Sequence, residues 1–364
     1  MIEFDRFTLD NGLKVLLHTD ETTPFVVVNV TYDVGARDEN QNRTGFAHLF
    51  EHLMFGGSKH APSFDKPLEL AGATNNAFTS NDVTNYYEVI PRENMETAFW
   101  LESDRMSFLN INEKSLSVQR KVVIEEFKER YLNKPYGEAW HYLRDMAYKT
   151  HAYQWPTIGK TVDHIEEASL QDVQQFYQRF YHPNNAILTL CGNISLKDRP
   201  IIEKWFGDLQ QGEPYHRDLP QETEQASARR KKVHADVPVD SIHIGFHMPG
   251  RGDDGYYACD LLSDVLSNGK SARLHQNLVK KKNIFSEINA FITGSFDPGL
   301  FVITGKPADG VQRDEAEQAI WDQLEELKQI VPKESLVYFL IGKVRKLTDI
   351  IAILDFEQIS VLAS

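Results

Sequence analysis

The sequence predicts an α+β protein made of two tandem homologous domains, each a mainly antiparallel sheet packed with helices. Three observations carry that expectation. Strand patterns rich in β-branched residues alternate with long amphipathic stretches along the 364 residues. A polar, proline-dotted stretch, "GDLQQGEPYHRDLPQETEQASARRKK", interrupts the pattern between about 207 and 232 and reads as a linker. After it the order of the first half returns. "DSIHIGFHMPG" and "YYACDLLSDVLSNG" repeat the strand, small turn, helix and glycine-rich exit of "FVVVNVTYDVG" and "GFAHLFEHLMFGG". The expected domains are 1–210 and 233–364, joined by a linker at 211–232.

Each element has a local reason. "FTLDNGLKVLLH" is two strands about Asp10-Asn11-Gly12, a turn in which Asn and Gly tolerate positive φ. "FVVVNVTYDVG" is a long strand ending at Gly35, and a helix opens near Thr44. "GATNNAFTSNDVTNYYEVI" reads as two strands about a turn at Asn81 and Asp82, followed by a helix over "RENMETAFWLESDRMSFL". A further helix covers "SVQRKVVIEEFKERYL" and stops before Pro135. Ser169 and Asp172 form a capping box opening "LQDVQQFYQRFY", and "NAILTLCGN" is a strand.

Composition bounds the function. Hydrophobic residues make up 41%, charged residues 25% and aromatics 11%, the profile of a chain that packs a core. A net charge of -14 disfavours nucleic acid and anionic membrane as partners, because both repel an acidic surface. Cys191 and Cys259 sit in apolar contexts, which predicts buried thiols and no disulfide framework. The first residues lack the apolar core of a signal peptide, and no stretch reaches the roughly 18 to 20 apolar residues that span a bilayer. A cytoplasmic setting is the expectation.

The chemistry concentrates in "FAHLFEHLMFGG", residues 46–57. On a helix, His48 and His52 are separated by about 400° of rotation and about 6 Å of rise, so both imidazoles leave one face and can clamp one ion. Glu51 lies close to that face but off the ligand axis, where a carboxylate holds a water. H-x-x-E-H is the inverted order of a zinc-hydrolase motif. A catalytic zinc needs a third protein ligand and an open position. Glu126 supplies a candidate, because it lies beside an apolar stripe through Leu116, Val123 and Phe127, where a carboxylate is costly unless paired or metal-bound. Two alternatives stay open: an ion pair of Glu126 with Arg120 or Arg130, and Glu125 as the ligand. Gln119, two turns earlier on the same face, is placed to support the third ligand. His60, His141 and His151 form no second cluster in the sequence, and Lys280 to Lys282 read as a solvated face.

With these residues the chain resembles the pitrilysin and insulinase family of zinc peptidases. The resemblance rests on His48-Leu-Phe-Glu51-His52, "VVIEEF" with Glu126, and "NNAFTSNDVTNYY". It extends to "GARDENQNRTGFAH", "RENMETAFWLESDRM" and "NGKSARL", and so spans most of the chain. It implies zinc held by His48, His52 and Glu126, with Glu51 as general base. It further implies that the edge strand carrying Asn76, Ala77, Phe78 and Thr79 takes peptide substrate by strand addition, with Asn76 polarising the scissile carbonyl. Tandem α+β domains are expected to pair as a dimer around a peptide chamber. The expected activity is that of a zinc metalloendopeptidase acting on short or unfolded peptides, without a covalent intermediate.

The sequence departs from the family's pattern at three places. Gln119 stands where many active members have Glu. Val279 and Ser286 stand where an Arg and a Tyr usually hold the substrate. "LTDIIAILDFEQISVLAS" ends in a helix-like pattern where relatives usually continue, so a second domain short at its C-terminus is the expectation. The second departure leaves an alternative: a catalytic half, or weakly active assembly subunit, that needs an unlike, non-catalytic chain to bring the Arg and Tyr.

Overall fold

The computed structural model describes residues 2–329 and 359–363. Eleven strands and ten α-helices are present among them. The strands are β1 (Asp5–Thr8), β2 (Lys14–Thr19), β3 (Phe25–Tyr32), β4 (Thr74–Thr79), β5 (Thr84–Pro91), β6 (Ala186–Gly192), β7 (Arg229–Val233), β8 (Ser241–Met248), β9 (Phe285–Ile292), β10 (Gly299–Pro307) and β11 (Ile359–Ala363). The helices are α1 (Phe46–Leu53), α2 (Asp65–Leu70), α3 (Met95–Phe108), α4 (Glu113–Phe127), α5 (Ala139–Ala147), α6 (Val162–Glu166), α7 (Leu170–Phe180), α8 (Arg199–Phe206), α9 (Tyr256–Ser267) and α10 (Arg313–Gln329).

The chain forms two compact units. The first holds Met1–Phe127 and Trp155–Leu219, the second Lys128–Gln154 and Pro220–Ser364. The last crossing, from Leu219 to Pro220, lies within the stretch expected as a linker. β7 begins at Arg229, inside that same stretch, because it pairs in parallel with β11. The segment Lys128–Gln154 interrupts the first unit in sequence. It joins the second because Leu143, Met146 and Ala147 of α5 pack with Leu300 and Val302 of β10.

The two sheets repeat one topology. The first unit's order is β1-β2-β6-β3-β5-β4 and the second's is β7-β11-β8-β10-β9. Setting β1 aside, each strand has a counterpart: β2 runs parallel to β6 as β7 does to β11, and the remaining neighbours are antiparallel. The local punctuation repeats as well. Gly45 and Gly255, at φ 88° and 94°, stand immediately before α1 and α9. Such left-handed backbone favours a residue without Cβ, and at Gly45 a Cβ would lie 2.6 Å from the Ile158 carbonyl oxygen. Counted from these glycines, His48, Glu51 and His52 correspond to Ala258, Leu261 and Leu262.

In the first unit, period-two burial in β3 turns Val26, Val28, Val30 and Tyr32 inward. Phe50 of α1 meets Tyr181 at 4.7 Å between ring centroids, and Tyr181 meets Tyr32 at 4.6 Å. This aromatic stack anchors the inner face of α1. Ser169 accepts the Asp172 N–H and opens α7 as the capping box predicts. In the second unit, Ile244, Phe246, Leu262, Phe285 and Phe301 share a core with Ile320 and Leu324 of α10.

Three sequence readings change in structure. The helix expected over 117–132 is α-helical only to Phe127, and Lys128–Leu132 continues as a π-helical turn where the chain passes to the second unit. The helix-like reading of 347–364 fails for Ile359–Ala363, which pair between β7 and β8, and the remainder lies outside the described residues. Cys259 is buried as expected, while Cys191 is half-buried, and neither forms a disulfide. No helix among the described residues is long and apolar enough to cross a membrane.

Candidate metal centre

The centre is built where α1 packs on α4. The helix α1 buries Phe46, Ala47, Leu49, Phe50 and Leu53, leaving His48 and His52 on the side toward α4. His48 is buried and His52 half-buried, and their rings lie 4.8 Å apart at 78°. On α4, Val123 and Phe127 go into the core, and Glu126 is half-buried beside them. Its Oε2 is 3.5 Å from His48 Nε2 and 3.3 Å from His52 Nε2. One donor atom from each of the three residues falls within 4.8 Å of the others, the one such group of His, Cys, Asp and Glu among the described residues.

The donor set fits zinc. Four ligands at about 2.0–2.2 Å in a tetrahedron stand about 3.3–3.6 Å apart. The two nitrogen-to-oxygen separations are already of that size. Two imidazoles and one carboxylate also leave a fourth position open, as hydrolytic zinc sites require.

Two of the alternatives around Glu126, Glu125 and Arg120, separate from it in space. Glu125 is exposed, whereas Glu126 touches both histidines. Arg120 directs its Nη2 to the Ala168 carbonyl at 2.5 Å. Gln119 is half-buried two turns before Glu126 on α4.

Glu51 supplies none of the three clustered donor atoms. Its Oε2 accepts a 2.5 Å hydrogen bond from Thr79 Oγ1, so the last residue of β4 holds the carboxylate. Among the described residues β4 is the edge of its sheet, with β5 on one side only. Alternation along it puts Asn75, Ala77 and Thr79 on the half-buried face, while Asn76 and Phe78 are exposed on the other. Asn76 Oδ1 accepts the N–H of Ala77 at 2.8 Å. The strand thus brings Thr79 to Glu51 and turns the Asn76 side chain to the opposite face.

Glu39 was not singled out in the sequence. It lies buried before α1 and its two oxygens accept the N–H groups of Gly45 and Ala47, each at 2.8 Å, while Trp155 Nε1 donates to Oε2 at 3.1 Å. The signal was available: α1 starts at a glycine with no side-chain cap, so its first N–H groups need an acceptor from elsewhere. Burial pushes the Glu39 carboxyl up to about 8 against these three donors. Glu39→Ala is expected to cost about 2–4 kcal/mol, because it strands buried donors. The sign with pH follows from the raised value. Its contribution is complete below the ordinary carboxyl range and declines as pH rises toward about 8, so the stability gap between parent and variant narrows from acid to neutral pH. Denaturant melts across that range measure it.

Val279 packs partly against the second unit's core, and Ser286, exposed on β9, donates to the Lys306 carbonyl at 3.2 Å. Lys280 to Lys282 are exposed.

Comparison with known proteins now decides the family. Residues 14–161 match the family described as insulinase, peptidase family M16, and residues 167–338 match the peptidase M16 inactive domain. A zinc protease of Helicobacter pylori, PqqE, is 32% identical over 329 residues, covering 88% of this chain and 74% of that protein. The chain belongs to the insulinase family. Another relative, the uncharacterized zinc protease YmxG of Bacillus subtilis, is 26% identical over 82% of this chain and 73% of its own length. The crystal structure of a protease from Helicobacter pylori aligns with a TM-score of 0.88 at 26% identity over 100% of both chains. A peptidase M16 inactive domain from Pseudomonas fluorescens shares the fold, with a TM-score of 0.87 at 16% identity over 99% of this chain and 98% of that one. The duplicated α+β architecture is therefore that of M16 peptidases. The inactive-domain match covers the repeat in which Ala258, Leu261 and Leu262 replace the histidines and glutamate.

Proposed function

We propose that the chain is a zinc-dependent endopeptidase hydrolysing short or unfolded peptides. The observation that carries this reading is the approach of one Glu126 oxygen to both His48 Nε2 and His52 Nε2 at 3.5 and 3.3 Å. His48, His52 and Glu126 hold the zinc in this reading. When bound, zinc supplies Lewis acidity that acidifies a water and polarises the substrate carbonyl. Glu51 takes the proton from the attacking water and delivers it to the leaving amine nitrogen. Thr79 keeps the Glu51 carboxylate oriented through its 2.5 Å hydrogen bond. The backbone of Asn76 to Thr79, at the open edge of its sheet, pairs with an extended peptide and sets few demands on side chains. The reading includes a cytoplasmic setting and a dimer.

A second reading keeps the same centre but assigns turnover to a pair of unlike chains. It is favoured by Val279 and Ser286, which present neither a cation nor a phenol where the resemblance expects Arg and Tyr. One experiment separates the two. The purified chain, stripped with chelator and reloaded with one zinc, is expected to cleave a pool of unstructured peptides. Stoichiometric zinc without cleavage would favour the catalytic half, and failure to retain zinc would overturn both.

A further inference from the structure

The second unit contains a cavity of about 590 Å³, lined throughout by its own residues. Its floor is the outer face of the second sheet. Ser241 and His243 of β8, Thr304 and Lys306 of β10, and Glu287 and Asn289 of β9 alternate to this side. Ile242, Ile303 and Ile288 alternate to the other side and join the core. A polar outer face is ordinary in an antiparallel sheet. Here it is roofed by residues 130–140, including Arg130, Tyr131, Lys134, Tyr136 and Trp140.

That roof has an unusual backbone. It begins in the π-helical turn Lys128–Leu132 and reaches Tyr136 at φ 64°, a left-handed conformation that a bulky L-residue rarely adopts. Gly137 follows, where a Cβ would lie 2.3 Å from the Tyr131 carbonyl oxygen. Tyr136 is held by its hydroxyl, which donates to the Val239 carbonyl at 2.6 Å. Strained backbone of this kind gathers at ligand clamps.

Charge gives the ligand's sign. Lys134 and Lys306 share the lining with one carboxylate, Glu287, which lies 3.1 Å from Lys306. The cavity is thus cationic within a chain of net charge -14. Burial and the neighbouring Lys306 hold the His243 imidazole down to about 4, so at neutral pH it is an uncharged polar group, 3.1 Å from Ser241 Oγ. The volume lies in the roughly 300–1,000 Å³ range of organic-ligand sites and far exceeds one small anion. The rings of Tyr131, Tyr136 and Trp140 add apolar wall to the charge.

We propose that this cavity binds the carboxylate side chain of an acidic peptide residue together with its neighbours, making the chain selective for acidic peptides. The proposal rests on the peptide reading above. It predicts a charge preference in binding that is separable from hydrolysis.

The test uses the full zinc-loaded chain carrying Glu51→Gln, so that peptide is not consumed. Binding of unstructured peptides with Glu, and of otherwise identical peptides with Gln, is measured by calorimetry. The Glu peptide is expected to bind about fivefold tighter, as about 1 kcal/mol of partly screened charge pairing implies. Lys134→Gln alone, on an exposed loop, is expected to reduce that preference, and Lys134→Gln with Lys306→Gln to abolish it. Equal affinity of the two peptides, or a preference that survives the double variant, overturns the proposal. Acetate or inorganic phosphate displacing the peptide at concentrations like the peptide's own assigns the cavity to a free anion and also overturns it. A charge preference without cleavage by the parent chain would sink the peptidase reading alone.

Discussion

Glu51→Gln is expected to lower peptide turnover by about 10²–10⁴-fold while one zinc remains bound, because a positioned general base contributes on that scale. The substitution keeps the side chain's shape and its acceptor oxygen for Thr79, which now donates to Glu51 Oε2 at 2.5 Å. What it removes is the ability to take a proton. Zinc content is expected to hold, since Glu51 is not among the three clustered donors. Metal analysis beside a cleavage assay reads both quantities. Loss of zinc together with activity would make Glu51 a ligand, and unchanged turnover would remove it from the mechanism.

Arg105→Ala is expected to destabilise the first unit by about 3–5 kcal/mol, the usual consequence of leaving buried charge without its partner. Arg105 on α3 is fully buried and its Nε donates to Glu102 Oε2 at 2.9 Å, with Glu88 3.5 Å from Nη2. Its guanidinium also lies 4.1 Å from the Phe64 ring centroid and 4.4 Å from that of Tyr86. Two carboxylates share this one cation. Burial and Glu102 push Glu88 well above the usual carboxyl range, which favours its protonated form and lowers the negative charge set against Arg105. Removing Arg105 leaves Glu102 uncompensated, and a thermal melt should fall by about 6–20 °C. Replacing all three, as Glu88→Gln, Glu102→Gln and Arg105→Met, is expected to recover most of that loss, because no ion then remains to desolvate. A triple variant as unstable as Arg105→Ala would show that ring stacking, rather than charge, carries the effect.

The sequence revealed the features set by near neighbours. His48 and His52 share a face because a helix turns 100° per residue, and that holds whatever α1 packs against. The hairpin at Asn11-Gly12 and the capping box at Ser169 are likewise written within a few residues. The strand alternation of β3 and the repeat of strand, turn and helix in the second half follow from periodicity and order. Glu126 was legible as a carboxylate beside an apolar stripe, but that it, rather than Glu125, reaches the two histidines depends on the position of α4 against α1.

Long-range packing decided the rest. Glu39 reaches the start of α1 and the Trp155 indole, which lies 116 residues away in sequence. Thr79 meets Glu51 across 28 residues because β4 borders α1. Arg105 is buried although charge predicts exposure, since Glu88 and Glu102 arrive from a strand and from its own helix. The same applies to Lys128–Gln154, whose membership in the second unit depends on apolar partners in β10 more than 150 residues further along. Local sequence determined the helix that presents the two histidines and the strands that frame it, because backbone periodicity needs only adjacent residues. Which carboxylates reach those histidines and the first turn of that helix was decided by tertiary structure, because burial and pairing depend on elements that meet only after the chain has folded.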